Sequence, residues 1–132
     1  LINSYENENY FELIDNCLSK NRNKVNKIIN EKIFNNNDAI ILIRFFITRI
    51  KRLIELKKLQ SETGSIKETV NNFRPPIFWK DKEIVEKQVE IWPTNKIFEL
   101  LDHVNILEIS YKKNSNLSNN LIFDFILNTS NS

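Results

Sequence analysis

The sequence has one glycine, one cysteine, one histidine and no methionine among its 132 residues. With a single glycine, neither the G-x-x-x-x-G-K-[ST] nor the G-x-G-x-x-G phosphate-binding loop can be written. A single cysteine excludes an internal disulfide and any zinc site built on several cysteines, and a single histidine excludes the H-E-x-x-H metalloprotease motif. The sequence therefore predicts no nucleotide-binding loop, no metal site and no bound cofactor.

Long apolar runs are also missing. The longest, from Ala39 to Phe46, is interrupted by Arg44, whereas a membrane-spanning helix needs ~18 apolar residues. Three prolines and one glycine are too few for a β-sandwich or barrel, which needs a turn signal every ~8–12 residues. Because 41% of the residues are hydrophobic, the chain is long enough and apolar enough to bury one ordinary core.

The first residue, the single cysteine and the net charge bear on what the chain belongs to, on its compartment and on its partners. The chain begins with Leu1 and contains no methionine, so we expect it to be a piece of a longer protein. A lone cysteine and the lack of a signal peptide favour the reducing cytoplasm. Nineteen basic and 17 acidic residues give a net charge of +2, which is no overall footprint of nucleic-acid binding.

Apolar residues recur at the spacing of one helix face in nearly every segment. This periodicity predicts an all-α bundle of six or seven helices with short loops. We assign residues 10–132 to this domain, and residues 1–9 to the remnant of a preceding module or linker. The predicted helices are, in chain order, 10–18, 25–33, 39–60, 66–73, 77–91, 94–112 and 121–127.

The predicted helix 39–60 is the longest, and its first half is apolar nearly all round, which is typical of a central helix. We expect Ile43, Phe46, Ile47 and Ile50 to be almost fully buried.

Local signals mark the ends of several helices. Asn37 or Asp38 can cap the longest helix. Ser65 and Glu68 have the spacing of a capping box. Pro76 can occupy the first turn of the helix that follows it.

Basic residues are concentrated in the second half of the longest helix, where six basic residues and one acidic residue lie between positions 44 and 58. Two interpretations are open: a surface for DNA or an acidic partner, or a solvated helix face whose cations suit the helix C-terminus. The candidate face consists of Arg44, Arg49, Lys51, Arg52 and Lys58.

Two further patterns have a functional and a structural interpretation. Helices 66–73 and 77–91 could form a helix-turn-helix, but the second carries a net charge of −1, which opposes binding to a polyanion. His103 follows Glu99 by one helical turn, but two ligands do not make a zinc site.

Reactive side chains give no catalytic set. Glu86 and Glu90 lie one turn apart like paired carboxylates, yet they also fit a solvated helix face. Cys17 lies on an apolar stripe, which predicts a core residue rather than a nucleophile. Trp79 and Trp92 bracket one predicted helix, and we expect both rings to anchor the core. The sequence predicts a non-catalytic chain.

Three stretches in order carry a family resemblance. They are Ile-Arg-Phe-Phe at 43–46 leading to Ile-Lys-Arg-Leu at 50–53, Arg-Pro-Pro-Ile-Phe-Trp-Lys at 74–80 with a later tryptophan, and a glutamate and lysine one turn apart. Over residues 11–127, the set resembles the C-terminal helical domain of the delta subunit of the bacterial DNA polymerase III clamp loader. The matching motif positions are Arg74, Pro75, Pro76, Phe78, Trp92, Glu108 and Lys112. Pro93 departs from the family, which usually has a serine or threonine cap there.

The resemblance implies a role in DNA replication. The domain would pack with its counterparts from other loader subunits into a ring, called the collar, within a DNA-directed DNA polymerase holoenzyme of the bacterial cytoplasm. The sliding clamp would be contacted through the missing N-terminal part, DNA at most weakly and a membrane not at all. The alternative is a stand-alone helical DNA-binding or regulatory domain that uses the basic face of helix 39–60.

Overall fold

The computed structural model describes residues 4–32, 34–35, 37–114 and 116–131, with side chains from Asn7 onward. Within these residues there are seven α-helices, one short 3-10 helix and no strand, which confirms the predicted all-α fold. The helices are α1 (Ser4–Leu18), α2 (Arg22–Glu31), α3 (Asp38–Thr63), α4 (Ile66–Asn72), α5 (Lys82–Ile91), α6 (Thr94–Lys113) and α7 (Asn120–Asn131), with the 3-10 helix at Trp79–Asp81.

Helix α3 is central and packs against α1, α4, α5 and α6. Ile43, Phe46 and Ile50 are completely buried, as predicted from the apolar first half of this helix. The expectation for Ile47 is wrong, because its side chain is only half-buried. At 3.6 residues per turn, Ile47 lies beside the exposed position of Arg44, on the border between the buried and solvent-facing sides.

Helix caps follow the sequence signals with one exception. Gly64 ends α3 in the left-handed conformation (φ 75°), which glycine adopts without a steric penalty. The Ser65 hydroxyl accepts a hydrogen bond from the Glu68 N–H at 3.2 Å and caps α4. Asn37 occupies the cap position of α3 without a side-chain cap bond, and the buried Asp38 carboxylate instead accepts from a tyrosine hydroxyl of α1.

The predicted helix 77–91 begins later than expected, at Lys82, so the prediction that Pro76 lies in its first turn is wrong. Ile77 is buried, and Phe78 after it has an extended ψ of 134°, so that helical backbone begins only with the 3-10 turn Trp79–Asp81. Residues 73–81 therefore separate α4 from α5. Since a helix-turn-helix joins its helices by three or four residues, that interpretation is wrong.

The first and last helices pack together, and α7 contacts α2 as well as α1. Residues 4–9, which the sequence assigns to a preceding module, belong to α1, while residues 1–3 lie outside the described part. The predicted helix 25–33 includes Ile33, which also lies outside the described residues. No helix of the described residues is long and apolar enough to cross a membrane.

Candidate functional site on α3 and the Arg74-Pro75-Pro76 turn

The five cations proposed from the sequence as one face are divided between two environments. Arg44, Lys51 and Lys58 are exposed along one side of α3. Arg49 and Arg52 are half-buried, with side chains 16% exposed, and are directed at α1. The five residues of the candidate face are therefore not equally exposed, because a buried carboxylate on α1 draws Arg49 and Arg52 inward.

That carboxylate belongs to Asp15. The Arg49 Nε donates to Asp15 Oδ1 at 2.9 Å, and a second guanidinium nitrogen lies 3.4 Å from Oδ2. The Phe11 ring packs 4.1 Å from the Arg49 guanidinium carbon, and the Gln88 side-chain amide of α5 donates to the Asp15 carbonyl at 2.9 Å. We call Asp15, Arg49 and Arg52 the Asp15 cluster. The cluster joins α1 to α3, and α5 is hydrogen-bonded to the backbone of Asp15.

Burial dominates the electrostatics of the Asp15 cluster. It raises the pKa of the Asp15 carboxyl, and the neighbouring guanidiniums of Arg49 and Arg52 counteract this only in part. Burial, followed by repulsion from Arg49, lowers the pKa of Arg52 to about 10. In the described part of the chain, Arg52 Nη2 is buried without a hydrogen-bond acceptor, and the Asp15 oxygen lies 3.9 Å away.

A groove of about 390 Å³ lies beside this cluster. It brings together two features that the sequence suggested separately, the basic half of α3 and the Arg74-Pro75-Pro76 turn. Four cationic side chains and one carboxylate line it, so that its walls are strongly positive overall. These charged residues are Arg49, Lys51, Arg52, Arg74 and Glu55.

Two exposed aromatic rings follow this turn in the chain. Phe78 is 58% exposed and Trp79 is 70% exposed, with ring centroids 6.0 Å apart. The prediction that Trp79 anchors the core is therefore wrong. The buried side chain of this segment is Ile77, and the 3-10 turn that follows turns the indole toward solvent.

Helix α6 exposes an apolar face that the sequence analysis missed. Its inner side, which includes Ile97, Leu100 and Val104, is buried. On its outer side Phe98, Ile106 and Ile109 are 48%, 61% and 52% exposed. The available signal was the presence of large apolar residues outside the main stripe of an amphipathic helix. We call these three residues the α6 outer face.

The motif positions of the family resemblance do not form one site. Arg74 and the two prolines line the basic groove. Trp92 is 5% exposed, and its indole N–H donates to the Leu18 carbonyl at 2.7 Å, which confirms its predicted core role. Glu108 and Lys112 form the expected pair on α6, with the ammonium 3.8 Å from the carboxylate.

The remaining reactive residues lie apart from the basic groove. Cys17 is fully buried as predicted; burial raises the pKa of its thiol, which donates to the Ile126 carbonyl at 3.4 Å. Glu90 is exposed and Glu86 is half-buried on α5. The described residues contain no group of three or more histidine, cysteine or acidic side chains that could hold a metal.

Comparison of the chain with protein-family models, with curated proteins and with solved structures gave no match. The function is therefore inferred from the chain's own residues and from the ordered motif stretches of its sequence.

Proposed function

We propose that this chain is a non-catalytic assembly domain of the delta subunit of a bacterial DNA polymerase III clamp loader. It packs with other loader subunits in the bacterial cytoplasm and so supports loading of the sliding clamp in DNA replication. The clamp itself is contacted by another part of the delta subunit. Two features support this proposal, the three ordered motif stretches and the α6 outer face.

The α6 outer face is the observation that carries the proposal. At about 100° per residue, Phe98, Ile106 and Ile109 fall within about 80° of one another around the helix axis. The exposed Asp102 falls on the same side of the helix, between Phe98 and the two isoleucines, so the face is apolar with one charged residue within it. Exposed apolar side chains on one side of a helix are typical of interfaces with other proteins. A single exposed leucine or isoleucine needs no such explanation, but three large ones on one side of one helix do.

The α6 outer face is backed by the buried core of the domain. The opposite side of α6 packs along α3, the central helix, through Ile97, Leu100 and Val104. A face held by a fully packed core changes shape little on binding, which suits a domain whose role is assembly. The exposed Lys112 lies near the C-terminal end of the same helix and adds a polar margin.

A double substitution tests the role of this face. Ile106→Lys with Ile109→Lys in the full-length protein should abolish co-purification with the other loader subunits, because two charges would enter a desolvated interface. Both side chains are exposed, so each change should alter the free energy of unfolding by less than ~0.5 kcal/mol. Co-purification and thermal unfolding of the same samples measure the two effects.

A matched control adds the same two charges elsewhere. Asn71→Lys with Asn72→Lys changes exposed positions of α4, and should leave co-purification at the wild-type level. If the α6 double variant assembles as well as this control, the α6 outer face is not the interface.

DNA binding is the second candidate function, and the basic groove favours it. Four cations line the groove, and the exposed Trp79 nearby in sequence could stack on a base. Against it, two of those cations already face the Asp15 carboxylate, and the net charge of the chain is only +2. We therefore propose that the domain binds DNA only weakly.

The exposed cations of α3 allow a test that spares the Asp15 cluster. At about 150 mM salt, the chain should bind a labelled duplex with a Kd no tighter than ~10⁻⁶ M, the range of non-specific contacts. Replacing Arg44, Lys51 and Lys58 by alanine should change that affinity little. Fluorescence anisotropy measures the affinity of both proteins for the duplex. Nanomolar binding that disappears in the triple variant would favour the DNA-binding function.

A further inference from the structure

The basic groove, of about 390 Å³, is lined by two segments of the chain, and each segment supplies an exposed cation. Lys51 belongs to α3 and Arg74 to the proline turn. Among the described residues, neither side chain forms an ion pair. Arg74 Nη1 donates to the Phe73 carbonyl at 3.0 Å, which holds the guanidinium beside the groove. A ligand in this groove can therefore meet a cation from each segment.

Arg52 adds a charge that its neighbours offset only in part. Its side chain lines the same groove and is 16% exposed. Within the described part of the chain, Arg52 Nη2 has no hydrogen-bond acceptor, and the Asp15 oxygen lies 3.9 Å from it. A half-buried charge is screened less than a charge in bulk water, so its potential extends into the groove. Arg49 differs, because its guanidinium donates two hydrogen bonds to Asp15.

The charges around the groove have a positive sum. Three cations contribute to it without a close ion pair, namely Lys51, Arg52 and Arg74. Arg49 and Asp15 cancel each other as a pair. Two further carboxylates reduce the sum without reversing its sign: Glu55 lines the groove, and Asp81 attracts the Arg52 guanidinium. Electrostatic complementarity therefore favours an anionic ligand.

Glu55 decides which kind of anion fits the groove. Its exposed carboxylate lies on α3, one turn after Lys51. The sugar-phosphate backbone of a DNA strand has no hydrogen-bond donor, so Glu55 can only repel it. A peptide has a backbone N–H at nearly every residue, and a carboxylate can accept from it. Since a helix already uses these N–H groups internally, the matching ligand is an extended peptide with acidic side chains.

The proline turn gives the groove an apolar wall. Pro75 and Pro76 are both exposed and line the groove, next to the buried side chain of Phe73. The methylene groups of a glutamate can pack on such a surface while its carboxylate reaches Arg74. An apolar wall with a few charged groups at defined points is the usual form of a binding site.

We propose that the basic groove binds an extended acidic segment of a partner protein. Carboxylates of this segment pair with Lys51 and with Arg74, and one of its backbone N–H groups donates to Glu55. Its side-chain methylene groups pack against the two prolines. The proposal goes beyond the proposed assembly function and does not depend on it, because it uses no residue of the α6 outer face.

A fluorescein-labelled short peptide of alternating aspartate and glutamate residues is the probe for this site. Its control has the same length, with asparagine and glutamine in place of the acids. At about 100 mM salt, the acidic peptide should bind the chain with a Kd of roughly 10⁻⁴ M or tighter, and the amide peptide at least about tenfold more weakly. Fluorescence anisotropy measures both affinities. Equal affinities, or no binding of the acidic peptide, would overturn the proposal.

A labelled single strand of DNA with the same charge as the acidic peptide separates the two kinds of polyanion. The DNA should bind at least about fivefold more weakly, because Glu55 repels it and gains no hydrogen bond. Glu55→Ala should reduce this difference between the two ligands to less than about twofold. If the wild-type chain binds the DNA as tightly as the peptide, or if Glu55→Ala leaves the difference unchanged, the proposal is wrong.

Lys51→Gln and Arg74→Gln test the two segments that line the groove. Each change should weaken binding of the acidic peptide about fivefold. Both positions are exposed, so the melting temperature should stay within about 3 °C of wild type. Lys27→Gln is the matched control, since it removes the same charge from an exposed position of α2 outside the groove, and it should change the affinity less than about twofold. Unchanged affinity in either groove variant, or an equal loss in the control, would contradict the assigned site.

Discussion

Phe46→Ala should lower the free energy of unfolding by about 3–5 kcal/mol, the usual cost of removing a buried phenylalanine ring. The Phe46 side chain is fully buried in the middle of α3, the central helix, and its ring meets the ring of Phe125 of α7 edge-on with centroids 6.1 Å apart. The cavity left there could close only by moving several helices. A loss of this size is enough to unfold a domain of marginal stability.

Urea unfolding measures the effect of Phe46→Ala, and Phe78→Ala is its matched control. Phe78 has the same side chain but is 58% exposed, so its removal should change the free energy of unfolding by less than ~0.5 kcal/mol. A loss below 1 kcal/mol for Phe46→Ala, or equal losses for the two variants, would contradict the central position of α3.

Asp15→Ala should destabilise the fold by about 3–5 kcal/mol, because it leaves buried guanidinium charge without a partner. Arg49 would lose two hydrogen bonds, and Arg52 its nearest carboxylate. The raised pKa of Asp15 indicates that burying this carboxylate costs more than the guanidiniums return. The loss of stability in Asp15→Ala therefore comes from arginines left without a partner and not from the removal of a strongly favourable ion pair.

Glu12→Ala is the control for Asp15→Ala. Glu12 lies on the surface of α1, where its side chain is 40% exposed, and it pairs with Lys24, whose side chain is 41% exposed. It should cost under ~1 kcal/mol.

The pH dependence of the free energy of unfolding has a definite sign. Because the folded-state pKa of Asp15 is raised, its contribution to stability is complete at low pH and is lost as the pH rises through that pKa. As the pH rises through that pKa, the free energy of unfolding of the wild type should therefore fall relative to that of Asp15→Asn. The opposite trend would contradict the burial of Asp15.

Sequence patterns predicted the local features of this fold well. The apolar spacing of helix 39–60 and of the segment that became α6 indicated the correct buried sides, because a helix face depends on residues only three or four positions apart. Ser65 marked the start of α4 correctly for the same reason. Ile47 was misplaced because it lies on the border between the two sides of its helix.

Features that depend on distant residues were not predictable in this way. Asp15 lies within the apolar stripe of α1, and its partners Arg49 and Arg52 are more than thirty positions away in the chain. Nothing in the local sequence indicates that these arginines turn inward. The exposure of Trp79 likewise follows from the burial of Ile77, which depends on the other helices that form the core.

The basic groove was also beyond local patterns. It is built from segments that only tertiary packing brings together, α3 and the Arg74-Pro75-Pro76 turn. The sequence supplied the members of the basic groove, but not their arrangement.

Affinity purification of the tagged full-length protein from its own cells tests the proposed function most directly. The bound proteins are identified and their stoichiometry is measured. The account predicts that the other clamp-loader subunits co-purify at a defined stoichiometry, and that they are lost from the Ile106→Lys, Ile109→Lys variant. Recovery of the protein without any loader subunit, under conditions in which those subunits assemble with one another, would contradict it.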